Sequence, residues 1–184
     1  MVGRGRMKLL GIDPGLSGAL AILCGDKVLL VADMPVHSIV TGRKTRVELD
    51  VPALRQLLTA QPVDHVVIEK VASRPGQGVS SMFKFGHCAG AVYGLVVGLQ
   101  LPCSFVLPQL WQRAAGCGPS PDAARQRAAQ LYPAIAPQLA RKRNAGRADA
   151  ILIARHGLQL LARAAPPIQV PPASPLRAAQ CPAA

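Results

Sequence analysis

Acidic residues are scarce: nine Asp and Glu stand against 21 Lys and Arg, a formal net charge of +12 over 184 residues. A balance so basic favours a polyanionic partner, most simply nucleic acid. A GC-rich coding sequence, which inflates Arg, Ala, Pro and Gly, is the bland alternative. The five cysteines, at 24, 88, 103, 117 and 181, never fall in a CxxC pair. That spacing argues against a zinc site or a disulfide frame and suits reduced thiols in a cytoplasmic protein. No run of about 18 apolar residues is free of charge or Pro, which argues against a membrane span. Arg4 and Arg6 are followed by an apolar run broken at Asp13-Pro14, unlike a signal peptide.

The stretch 8–24 organises the rest. An apolar run at 9–12 ends in Asp13, a turn of Pro14, Gly15, Ser17 and Gly18 follows, and a second apolar run fills 19–24. This reads as a strand, a tight turn and an antiparallel return strand. A carboxylate at the end of a buried strand is costly unless it is paired or holds a cation, although Asp also caps turns. A third strand is expected at 27–33. Residues 34–45 read as a loop whose basic cluster, Arg43 to Arg46, is either a solvated tip or a phosphate contact. Asp50 caps a helix to about 60, with Pro52 in its first turn.

Residues 64–69 form a fourth strand that again delivers a carboxylate, Glu69, at its C-terminal end, where ligands collect in α/β sheets. A loop at 72–79 leads to a helix over 82–99 with Gly86, Gly90, Gly94 and Gly98 at every fourth position. Such a stripe lets another element pack close and marks a candidate dimer contact. A fifth strand is expected at 102–107, a short helix from 108 and a helix over 123–131 capped by Ser120. Residues 141–147 read as a basic loop before a final helix, 148–162, with Asp149 in its first turn. The expected domains are a basic arm at 1–7, one α/β domain at 8–163 and a Pro/Ala-rich disordered tail at 164–184.

Three of the few acids, Asp13, Glu69 and Asp149, therefore come from separate segments. Together in so basic a protein they make a divalent-metal site plausible, with the cations holding a phosphodiester backbone over it.

The motifs Gly11-Ile-Asp-Pro-Gly-Leu-Ser-Gly-Ala, Val-Val-Ile-Glu69 and Gly146-Arg-Ala-Asp149-Ala-Ile-Leu-Ile-Ala resemble the RuvC-like Holliday-junction resolvases of the RNase H-like superfamily. The stretches from Pro75 to Gly86 and from Leu107 to Trp111 resemble the phage and prophage branch. The resemblance covers about residues 8–160 and implies a mixed five-stranded sheet flanked by helices. It implies an endonuclease that resolves branched DNA by paired nicks as a homodimer, using two Mg2+ (or Mn2+) per active site. Asp13 would bridge both ions, with Glu69 and Asp149 as further ligands. DNA contacts are expected from Arg74, Phe83, Lys84, Arg113, Arg141, Lys142, Arg143 and Arg147; Phe85, Trp111 and His156 read as packing residues. Relatives usually carry a fourth ligand just before the last Asp, and the phage pattern would place it at Ala145. The missing acid leaves three readings: a ligand from Asn144, water or elsewhere; a weak or inactive enzyme; or an Asp replaced by Ala. Rivals are a junction-binding protein without cleavage, a flap or fork nuclease of the same fold, and an actin-like ATPase, for whose second domain the chain is short.

Overall fold

The computed structural model describes residues 7–72, 76 and 78–163. Arg74, the tail at 164–184 and all of the expected arm except Met7 lie outside the described residues.

Three strands open the fold as an antiparallel meander: β1 (Lys8–Asp13), β2 (Ala19–Cys24) and β3 (Lys27–Asp33). Residues 34–45 are not the expected loop. Most of them belong to a two-stranded hairpin, β4 (Val36–Thr41) and β5 (Lys44–Leu49), which stands as a sheet of its own. A two-residue turn of Gly42 and Arg43 closes it, and Gly42 takes φ +61°, a conformation that favours glycine. Helix α1 (Val51–Thr59) begins as expected: the Asp50 carboxylate accepts the Ala53 backbone N–H at 3.0 Å.

Then come β6 (His65–Glu69), α2 (Val79–Gly98), β7 (Cys103–Val106), α3 (Pro108–Ala115) and α4 (Ala123–Leu131). Helix α4 starts after Asp122 rather than at a Ser120 cap. The expected basic loop at 141–147 is also helical. Lys142–Asn144 is a 3-10 turn, and α5 runs over Ala145–Arg163, so Asp149 sits in its second turn.

The main sheet has the order β3-β2-β1-β6-β7, with β1, β6 and β7 parallel, which is the mixed five-stranded sheet expected. Its two faces bury separate cores. Leu9, Val67 and the apolar faces of α3, α4 and α5 form one. Leu10, Ile12, Val66 and Ile68 pack with α1 and α2 in the other. This alternation is the period-2 pattern of a strand covered on both sides.

Helix α5 makes the closest approach to the sheet. A Cβ on Gly11 would stand 2.2 Å from the Ala150 carbonyl oxygen and 2.5 Å from the Ala154 nitrogen. At Gly157 it would meet Val67 at 2.6 Å, and at Gly146 the Ser17 carbonyl oxygen at 2.6 Å. These glycines seat the helix directly on β1, β6 and the β1–β2 turn. Among the described residues no helix is long and apolar enough to cross a membrane.

Candidate active site

The strand pattern brings the first two acids together. Along β1, Leu9 and Gly11 face α5 while Leu10 and Ile12 face α1 and α2. Asp13 shares the parity of Leu9 and Gly11. On β6, Glu69 shares the parity of Val67, which also packs on the α5 side. The parallel register pairs Ile12 with Ile68, so Asp13 and Glu69 are the next residues on neighbouring strands, whose backbones run about 4.8 Å apart. Gly146 rests on Ser17 and Gly18, and Ala150 on Gly11, which places Asp149 between those contacts near the end of β1.

The electrostatics agree with this placement. The Asp13 carboxyl is pushed up to about 6, first by burial and then by the charge of Glu69, while the Gly15 backbone N–H opposes the shift. Asp149 is pushed up to about 7 by burial, Asp13 and Glu69. The charge of Glu69 thus raises the cost of ionising both aspartates, and Asp13 adds to it at Asp149. Among the described residues, no three His, Cys, Asp or Glu side chains stand close enough to hold an ion between them. The donor chemistry nonetheless fits a hard divalent cation, which would relieve the repulsion.

Trp111 adds a contact that its sequence context did not reveal. The ring is 1 % exposed and packs in the α5-side core, as expected, yet its Nε1–H donates to Glu69 Oε1 at 2.8 Å. The bond joins residues 42 apart in sequence, and the only hint of it was the resemblance of 107–111 to the phage branch. Cys88 and Cys117 also lie within the reach of the acids. Burial and Asp13 push the Cys88 thiol up to about 11, and burial and Asp149 raise Cys117.

The cationic residues divide into two groups. Lys84, Arg113, Arg141, Lys142 and Arg143 are exposed, as is Phe83. Arg147, an expected phosphate contact, is engaged within the fold. It forms a bidentate pair with Asp33, with Nε and Nη2 both at 2.6 Å, and so ties α5 to the end of β3. Asn144 is buried, and its amide N–H donates to the Gln138 carbonyl at 2.7 Å. Phe85 packs against the β1–β2 turn, its ring 3.3 Å from where a Cβ on Gly15 would lie, and His156 is buried. Ala145, the first residue of α5, lies one helical turn before Asp149 and on the same face.

No protein-family model matches the chain, and no curated protein does. Solved structures share its fold, two RuvC structures among them. T. thermophilus RuvC in complex with a Holliday junction substrate aligns with a TM-score of 0.56 at 18 % identity, over 85 % of this chain and 95 % of that one. A second Thermus thermophilus RuvC structure aligns at 0.52 and 20 % identity, over 85 % and 96 %. The fold is therefore that of RuvC, an RNase H-like fold.

Proposed function

We propose that the protein is a divalent-metal-dependent endonuclease for branched DNA, the four-way junction above all. It would act as a homodimer that makes paired nicks. The observation that carries this reading is the gathering of Asp13 and Glu69 at the ends of neighbouring central strands of a RuvC fold, with Asp149 close enough to feel the charge of both. Asp13, Glu69 and Asp149 would hold two Mg2+ ions, or Mn2+ in their place. When bound, the ions supply Lewis-acid polarisation of the phosphodiester and stabilisation of the leaving 3′ oxygen.

The chain's own residues hold the parts in place. The Gly15 N–H orients Asp13, the Trp111 indole orients Glu69, and the glycine-seated α5 carries Asp149. Lys84, Arg113, Arg141, Lys142 and Arg143 would grip backbone phosphates, each contributing to a salt-dependent affinity. Arg147 would join them by exchanging its bond to Asp33 for one to a phosphate. The four glycines of α2, with open space above them, are the contact offered to a second copy. A two-fold axis through that contact would match the symmetry of a four-way junction.

Ala145 favours a second reading, a protein that binds junctions and cuts them weakly or not at all. An acid at 145 would share a helix face with Asp149, and this chain has a methyl group there. The test is nicking of a labelled four-way junction in Mg2+ by the chain and by Ala145→Asp, with binding measured in Ca2+. Cleavage by Ala145→Asp alone, with both proteins binding, supports the nuclease reading and makes 145 the lost ligand position. Cleavage by both shows that three carboxylates suffice. Binding without cleavage by either in Mg2+ or Mn2+ supports the second reading. Cleavage that survives Asp13→Asn overturns the site.

A further inference from the structure

The β4–β5 hairpin forms a sheet of its own, and its residues 36–40, 42, 43 and 45–48 are exposed. Solvent therefore reaches both of its faces. A two-stranded hairpin in that condition is marginal in water and gains from a partner. Its root is anchored beside the carboxylates. The Met34 N–H donates to the Gly18 carbonyl and the Asp50 N–H to the Pro35 carbonyl, both at 2.9 Å, and the Met34 side chain is buried. Asp33, the last residue of β3, pairs with Ala19, and Ala19 pairs with Asp13. The hairpin thus leaves the sheet at the end where the acids gather.

The two faces differ. The cross-strand register sets Val36, Ser38 and Val40 opposite Leu49, Val47 and Thr45 on one of them. Val40 is 69 % exposed and Val47 45 %. That face carries no charge, only apolar groups and two hydroxyls. Arg46 stands on the other face and Arg43 in the turn, while Glu48, near the root, is the hairpin's single acid. A second copy of the chain would bring like charge to this turn, whereas a nucleic acid brings the opposite one. The major groove of B-DNA, about 12 Å wide, admits a two-stranded ribbon. Valine methyls meet thymine methyl groups there, and Ser and Thr hydroxyls meet donors or acceptors on the base edges.

We propose that the β4–β5 hairpin is a ribbon that lies in the major groove of a duplex arm, with the Val40–Val47 face on the base edges and Arg43 and Arg46 on the flanking phosphates. Six residues per strand give it a reach of about 20 Å, or about six base pairs. Rooted at the carboxylate end of the sheet, it would fix how one arm of a branched molecule lies relative to the acids. The proposal rests on the reading that branched DNA is the partner, but it does not require cleavage.

The experiment uses the full chain in Ca2+ and a four-way junction with guanines along every arm, probed by dimethyl sulfate, which methylates guanine N7 in the major groove. The expected result is protection of N7 within about six base pairs of the branch point. Val40→Asp, which sets a carboxylate into the groove, should abolish that protection and weaken junction binding about tenfold. Arg43→Ala and Arg46→Ala should each lower the slope of log affinity against log salt by about one. Arg163→Ala, at the far end of α5, should leave the protection pattern as it is. Junction binding with N7 unprotected, protection that survives Val40→Asp, or salt slopes unmoved by both arginine variants overturns the ribbon and leaves the DNA reading standing. A Val40→Asp chain that loses self-association in sedimentation but keeps the protection assigns the face to a second copy, which overturns the ribbon as well. No binding to junction or duplex overturns both readings.

Discussion

Helix α5 lies on one face of the sheet at backbone contact, whereas α2 covers the other through side chains. On the α5 face, Gly11, Gly146 and Gly157 each occupy a position where a Cβ would strike backbone or core atoms. On α2, the four spaced glycines meet nothing within 4 Å, and the buried residues are Cys88, Val92 and Val96. A stripe of small residues thus has two origins. One records a contact already made inside the fold; the other is a surface left open. The carboxylate from a helix belongs to the first kind, because a side chain can be aimed only from a helix whose distance to the sheet is fixed.

The contrast makes quantitative claims. Gly11→Ala should be the most damaging small substitution on the sheet, since the atoms its Cβ meets are mostly backbone and cannot swing away. A loss of about 3 kcal/mol or more is expected in urea unfolding. Next comes pH. Asp13 and Asp149 have folded pKa values near 6 and 7, above their ordinary 3.8, so the folded state holds their protons more tightly than the unfolded chain. Their contribution is full below pH 3.8 and is lost as pH rises through 6 and 7, roughly 3 kcal/mol from Asp13 and roughly 4 from Asp149 in the metal-free protein. Thermal melts across pH 4 to 8 would show this slope. Asp149→Asn should flatten it, and Mg2+ at pH 8 should restore stability if the acids bind it.

Trp111→Phe removes a hydrogen bond to a carboxylate and should cost about 2 kcal/mol. On the nuclease reading it should also weaken Mn2+ binding, measured by calorimetry, because Glu69 loses its orienting partner. The smallest effect has the opposite sign. Gly90→Ala faces open space in a helix interior, so it should stabilise the monomer by about 1 kcal/mol. If α2 is the dimer contact, the same variant should raise the dimer dissociation constant in sedimentation. A Gly90→Ala protein that loses stability would show that the two faces are less different than their glycines indicate.

The sequence exposed those features that are local. Short apolar runs marked the main-sheet strands, and an acid at the end of such a run marked Asp13 and Glu69 before any tertiary contact was known. The hairpin at 36–49 went unread because its basic tip looked like solvated loop. Its cue was a Gly-led two-residue turn between segments rich in β-branched residues. The first turn of α5 was hidden in the same way, by Arg and Lys that read as loop, and with it the shared face of positions 145 and 149. The Arg147–Asp33 pair and the Trp111–Glu69 bond join residues 114 and 42 apart. No periodicity in a single chain reports partners at such separations.

The seat that α5 takes on Gly11 also sets the order in which the molecule can be completed. Strand β1 leaves the ribosome before every other strand of the sheet, and α5 is synthesised after all of them. Until then the nascent meander carries an uncovered apolar face, a contact of high sequence separation that slows folding and invites association. The same delay governs the site. Asp149 joins Asp13 and Glu69 only when the last helix docks, so a half-made chain cannot assemble the three acids.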